Sequence, residues 1–387
     1  MLRERNIVGR FALGDWNISV HNVFTLWRVS EHDDPFAETD NRGGALTLKR
    51  LPIVTILVVM MCLTAVSIAP AGASAYSLTG AGSTLMAPLM ANWTADFQRK
   101  YGDTVTYAAV GSGAGIAQIS ARAVDFGASD APLTPAQAEK CKGCIQIPWA
   151  LTATGIAFNI PGFRHINLTG PIVAGIYLGQ ITNWNAPAIA RVNKGVKLPN
   201  LKITPVFRSD GSGDTYAFTD YLSRISPTWR TRVGNSTTVS FPTGVGGKGN
   251  DGETAIVAST SGAISYISAS YIIAHGLGAA ALQNAAGRFV YPNLKNIIQA
   301  GSTVKRVPAN NEMHIVNPPK KYKIAYPLST FSYCIVPKAA AQHGALASFV
   351  YYAMSGGQAF GAALDFAPIP KVVLNAGVKS VRELQAG

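Results

Sequence analysis

Downstream of residue 75 the hydrophobic positions fall into short alternating runs. Each run breaks over glycines and is followed by a stretch whose apolar residues recur at helical spacing. Tyr76 to Thr84 reads as a strand running into a glycine turn, and Leu85 to Tyr101 as the helix after it. Val105 to Val110 is a second strand; it ends in Gly111-Ser112-Gly113-Ala114-Gly115, before a helical stretch from Ile116 to Ala121. Val124 to Ala128 is a third, short strand ending in Ser129-Asp130, with a helix starting at Pro135. Leu201 to Phe207 repeats the design: it breaks at Arg208-Ser209-Asp210-Gly211-Ser212-Gly213-Asp214-Thr215 and opens into a helical run from Tyr216 to Leu222. Strands alternating with helices predict an α/β protein with a mostly parallel sheet and ligands gathered at the strands' C-terminal ends.

These turns carry the candidate chemistry. A strand that breaks over glycines into a helix leaves several backbone N–H groups pointing at one spot, where the helix dipole favours an anion. Arg208 adds a full positive charge and a planar fork of donors suited to a tetrahedral oxyanion, and Ser212 and Thr215 add hydroxyls. Thr84, Ser112 and Asp130 occupy the equivalent turns, along one rim of the expected sheet. Any one of them alone reads as a turn or cap residue. Three in succession, with the arginine turn downstream, read as an oxyanion site.

Composition bounds the picture. The chain has 387 residues, 48% hydrophobic and 14% charged, enough for two sizeable cores. The formal net charge is +13; residues 1–75 hold seven Lys/Arg and seven Asp/Glu, so the excess lies downstream, as 26 basic minus 13 acidic residues. A basic surface steers anions without saying which. No Lys/Arg run, zinc spacing or basic amphipathic helix accompanies it, so nucleic acid is not the expected partner.

The first 75 residues differ from the rest. Residues 1–48 are polar and unpatterned and are read as an unstructured extension. Residues 49–75 are read as a signal peptide: Lys49-Arg50, the apolar run Leu51 to Ala69, then Pro70 and the small-residue end Ala73-Ser74-Ala75. Cleavage is expected after Ala75, placing the protein in the periplasm or cell envelope. The alternative is an uncleaved membrane anchor, because the run has 19 residues. The leading 48 residues are read as an over-extended start site.

In an oxidising compartment Cys141-Lys142-Gly143-Cys144 is expected to close a small local disulfide and Cys334 to be buried and free. A redox role would want the pair at a helix start after a strand, whereas here it follows a helical stretch. The histidines His165, His275, His314 and His343 are scattered, so no metal site is expected.

Ser77-Leu78-Thr79-Gly80-Ala81-Gly82-Ser83-Thr84, Val124-Asp125-Phe126-Gly127-Ala128-Ser129-Asp130-Ala131-Pro132-Leu133 and Arg208-Ser209-Asp210-Gly211-Ser212-Gly213 resemble a known family. It is the phosphate-binding protein of the bacterial high-affinity ABC phosphate importer. Gly246-Gly247-Lys248-Gly249-Asn250-Asp251-Gly252 and Gly262-Ala263-Ile264-Ser265-Tyr266 resemble it in order and spacing, and the likeness is clear from about 76 to 275. The resemblance implies the two-lobed periplasmic-binding-protein (type II) fold, closing on phosphate. Lobe one would be 76–152 plus 326–387 and lobe two 153–325, joined by extended segments at Ile147 to Phe158 and Tyr326 to Tyr333. Carried over position by position, the phosphate contacts fall on Thr84, Ser112, Asp130, Arg208, Ser212 and Gly213, with Asp210 orienting the arginine. The family's next contact, a threonine, is Asp214 here. The preferred reading gives Asp214 a role in the first helical turn, with its backbone N–H on the ligand; the alternative makes it a second proton acceptor beside Asp130.

The resemblance implies inorganic phosphate and the permease subunits of an ABC importer as partners, no cofactor, and a monomer. Rival classes are a secreted phosphoester hydrolase and a surface adhesin retaining the fold. Ser212 lacks the G-x-S-x-G elbow of a hydrolase, and the lysine of the Gly244 to Asn250 stretch is followed by glycine where a nucleotide loop needs Ser or Thr.

Overall fold

The structure, a computed structural model, describes residues 75–384. The extension 1–48 and the signal peptide up to residue 74 lie outside the described residues. Eleven strands form the framework: β1 (Ser77–Gly82), β2 (Thr104–Ala109), β3 (Phe126–Ser129), β4 (Cys144–Phe158), β5 (His165–Leu168), β6 (Thr204–Arg208), β7 (Val245–Gly247), β8 (Ala263–Ser268), β9 (Gly278–Gln283), β10 (Phe289–Val290) and β11 (Ser329–Pro337). Their order is β2-β1-β3-β11-β4-β8-β6-β7, with β9 also on β4 and carrying β5 and β10.

The expected strand–turn–helix units are present. β1 pairs in parallel with β2 and β3, and β6 pairs in parallel with β7 and β8. The sheet is less parallel than the alternation predicts, because two long strands run against their neighbours. β11 pairs antiparallel with β3 and β4, and β4 antiparallel with β8 and β9. β4 divides its pairing along its length. Cys144 to Ala153 lie on β11, and Thr154 to Phe158 lie on β8. Helices precede both strands, Pro135–Lys140 before β4 and Leu294–Gly301 before β11, but alternation fixes only where strands and helices fall and not the direction in which a strand enters the sheet.

Two aromatic clusters hold the helices against this framework. Trp93, Phe97, Phe126, Trp149 and Phe349 are all buried and meet edge-on or tilted, with Trp93 and Trp149 at 5.4 Å between ring centres. Tyr177, Phe218, Trp229 and Tyr266 form the second, where Phe218 stacks on Tyr266 at 4.3 Å. Burying an aromatic side chain of this size contributes roughly 2–3 kcal/mol. Phe218 lies on the Gly213–Ile225 helix and Tyr266 on β8, so the second cluster fixes where that helix begins.

Cys141 and Cys144 are joined in a disulfide and Cys334 is buried and unpaired, as expected from the sequence. Among the described residues no helix is long and apolar enough to cross a membrane.

Candidate functional site

The site residues read from the sequence gather at one place in two adjoining hydrogen-bonded groups, Thr84, Arg208, Ser212 and Asp214 in one and Ser112, Asp130 and Gly213 in the other, and all seven are buried. The turn after β1 contributes Ser83 and Thr84, the helix Ser112–Ser120 its first residue, and the turn after β3 Asp130. β6 ends on Arg208 and the helix Gly213–Ile225 starts from an Ser212 cap, whose hydroxyl accepts the Thr215 N–H at 3.3 Å. The helix approaches the β3 turn so closely that a Cβ at Gly213 would stand 2.5 Å from the Cβ of Asp130. Only glycine fits there.

Arg208 is held from several sides. Its backbone N–H donates to the Tyr266 hydroxyl at 3.0 Å, linking the site to the second aromatic cluster. Asp210 accepts from Nε at 2.7 Å and from a terminal nitrogen at 2.6 Å, the bidentate geometry expected of a residue that orients the arginine. Asp210 also accepts the Gly249 N–H at 2.9 Å. Burial works against both charges. The Arg208 bonds nevertheless bring the Asp210 carboxyl below its ordinary range, and the surrounding carboxylates hold the Arg208 guanidinium firmly protonated.

Three hydroxyls have a common arrangement. The Thr84 Oγ1 accepts from the backbone N–H of Asn250 at 3.1 Å and from its side-chain amide at 2.9 Å. The Ser112 Oγ accepts from the N–H of Gly213 at 3.1 Å and of Asp130 at 3.4 Å. The Ser212 Oγ accepts from Arg208 at 2.7 Å and from Thr215. A hydroxyl has two lone pairs and one proton. All three are therefore filled as acceptors, and what each still offers is one O–H donor. Three such donors on three separate turns, beside a guanidinium, suit an oxyanion.

Asp130 supplies the opposite function. Ser83 donates to its Oδ2, while its buried Oδ1 has no hydrogen-bond partner. The Ser332 hydroxyl is close enough to favour the ionised form, yet it too lacks a partner of sound geometry. Burial, and next the charge of Asp214, raise the Asp130 carboxyl to about 7. A buried acceptor left in this condition costs about 1–3 kcal/mol. A ligand bearing an O–H removes that cost.

Asp214 lies in the first turn of its helix, as expected, and its carboxylate is engaged by more than a helix start requires. Thr154 donates to Oδ1 at 2.6 Å; Asn250 donates to Oδ2 at 2.9 Å, and Arg208 makes a longer contact there at 3.4 Å. Burial still leaves its carboxyl above the ordinary range, against the opposing pull of Arg208, Thr154 and Asn250.

Sequence reasoning did not single out Ser83, Thr154, Asn250, Tyr266 or Glu253. Ser83 and Asn250 adjoin recognised turns, and their signal was a polar residue beside a glycine. Thr154 is one of two threonines, with Thr152, in a largely apolar strand, and nothing in the local pattern separates the two. Glu253 is buried, with its Oε1 2.9 Å from the Ser265 hydroxyl and its Oε2 unpartnered, and burial pushes its carboxyl well above the ordinary range. Among the described residues no cluster of side chains could hold a metal ion.

A domain profile described as the PBP superfamily domain matches residues 68–356. The fold and site thus define a solute-binding protein of that superfamily. Within it, the chain belongs to the family of the phosphate-binding proteins PstS. It is 37% identical over 298 residues to the PstS protein of Xylella fastidiosa strain Temecula1, covering 76% of this chain and 81% of the relative. It is 35% identical over 305 residues to that of Pasteurella multocida, covering 78% and 88%. The solved structure of a high-affinity periplasmic phosphate-binding protein bound with phosphate superposes with a TM-score of 0.63, at 20% identity, over 78% of this chain and 92% of that one.

Proposed function

We propose that this protein is an extracytoplasmic receptor that binds inorganic phosphate and delivers it to the permease subunits of an ABC importer. Thr84, Ser112, Asp130, Arg208, Ser212, Gly213 and Asp214 form the site. The observation that carries the reading is the pairing of three spare hydroxyl donors with one spare carboxylate acceptor, Asp130 Oδ1. Phosphate near neutral pH presents both unprotonated oxygens and a P–OH. Sulfate presents no proton, meets the Asp130 carboxylate oxygen to oxygen, and leaves it unpaired. Sites that hydrogen-bond a ligand O–H reject the analogue lacking it by ~10⁴ or more.

The residue groups 76–152 plus 326–387 and 153–325 act as two lobes that close on the ion. This division is supported by the pairing of β4, which passes from β11 to β8 between Ala153 and Thr154. It is also supported by contacts such as Asn250 on Thr84, which join one group to the other. Binding rather than turnover is the activity, and the location is the periplasm or cell envelope.

Calorimetric titration of the purified protein with phosphate, arsenate and sulfate tests the reading. Phosphate and arsenate, which both carry the proton, bind one to one, and excess sulfate does not compete. Sulfate binding at an affinity similar to that of phosphate refutes it.

A further inference from the structure

Arg208 is the one buried lysine or arginine among the described residues, and four carboxyl groups surround it. Asp210 holds it through two bonds and by itself matches its charge. Asp214 contacts it at 3.4 Å. Asp130 and Glu253 lie near enough to act on it through their charges. The enclosure therefore holds more carboxyl groups than its one cation can neutralise, even with Glu253 protonated, and at these burials water does little to screen those that ionise.

The groups facing Asp214 come from every element around it. They are Arg208 at the end of β6, Asp210 in the following turn, Asp130 after β3, Glu253 on the Gly249–Ser259 helix and Tyr271 on the Ala269–Ala274 helix. Thr154 from β4 and Asn250 contribute neutral donors. Arg208 is the only cation in the set, and it is already paired. A dianionic ligand would add two charges beside two buried carboxylates. A proton shared among them removes one charge from the crowd at little cost, because the ligand, Asp130 and Asp214 are all bases within the same enclosure.

We propose that Asp214 is a specificity-determining residue that sets the protonation state in which phosphate is held. The complex keeps two protons distributed over phosphate, Asp130 and Asp214, where a neutral residue at position 214 would leave one. In effect the site takes dihydrogen phosphate, or hydrogenphosphate together with a proton from solvent. This rests on the phosphate reading above and adds the proton count to it. Asp214→Asn can keep the local geometry: its carboxamide oxygen faces Asn250 and Arg208, and its NH₂ faces Thr154, whose hydroxyl turns to accept.

The experiment is calorimetric titration with inorganic phosphate across roughly pH 5.5 to 8.5, in buffers of differing ionisation enthalpy, for the full protein, Asp214→Asn and Asp214→Thr. At about pH 8.5, where the free ligand carries one proton, the parent takes up close to one proton per phosphate and the variants close to none. The ratio of parent to variant affinity falls by up to about tenfold per pH unit as pH rises through neutrality, the slope of one linked proton. Proton uptake near zero by the parent at about pH 8.5 overturns the proposal without any variant, as do parallel affinity curves. If the parent binds no phosphate at any pH, the underlying phosphate reading falls instead.

Discussion

Thr84 receives both the backbone N–H and the side-chain amide of Asn250, a residue 166 positions further along the chain. The same amide donates to Asp214, so Asn250 joins the turn after β1 to the start of the Gly213–Ile225 helix. By filling the acceptor sites of Thr84 it leaves that hydroxyl only a donor. The site's preference for an anion is in this way set by neighbours that never need to touch it.

Arg208 and Asp130 should respond differently to removal. Arg208→Ala leaves Asp210 and Asp214 without their cation, and losing one partner of a buried charged pair costs about 2–5 kcal/mol, or roughly 30-fold to several thousand-fold in phosphate affinity. Asp130→Asn should cost less, about 1–3 kcal/mol, because the carboxamide can still accept from Ser83. Its NH₂ then turns toward the ligand and replaces the acceptor with a donor, so sulfate should bind. Competition titration with both anions checks this; an Asp130→Asn protein that still excludes sulfate shows that the carboxylate is not the filter.

Replacing Cys141 and Cys144 together by serine should lower stability without altering the site. Closing so short a loop removes chain entropy worth about 2 kcal/mol. Arg122 donates to the carbonyls of Cys141 and Lys142 at 2.8 and 2.9 Å, which holds the loop when the sulfurs are gone. The unfolding free energy from denaturant titration should fall by that amount, with phosphate affinity changed less than about twofold, within the noise of independent sites. A loss of affinity of tenfold or more would tie the disulfide to binding.

Glu253 should make the protein's stability depend on pH. Its folded carboxyl titrates well above the ordinary range, chiefly because of burial, while the unfolded chain ionises from about pH 4.3. The folded state therefore holds the proton more tightly, and the associated stability is full below about pH 4 and is lost as pH rises through the interval up to the folded pKa. Glu253→Gln lacks this slope. The melting temperature of the variant relative to the parent should rise as pH increases above about 4, until the folded Glu253 carboxyl has ionised. A difference that stays constant over that range would mean Glu253 is ionised in the fold as the partner of Arg208.

The α/β class, the strand-to-helix turns and the presence of Thr84, Ser112, Asp130, Arg208 and Ser212 at those turns were legible from the sequence alone. They rest on local rules: apolar periodicity, glycine where the chain must turn, and a hydroxyl or charge placed just after a strand. Tertiary structure alone decided that β4 and β11 run against their neighbours, because strand direction depends on where the chain returns to the sheet and not on its pattern. It alone decided the partners of each polar group: Asn250 for Thr84, Thr154 for Asp214, Tyr266 for the Arg208 backbone. An aspartate in the first turn of a helix has the same sequence signature whether it faces water or lies beneath a guanidinium. Its charge, and with it the protonation state of any ligand beside it, is set by burial and by the donors that packing brings within reach.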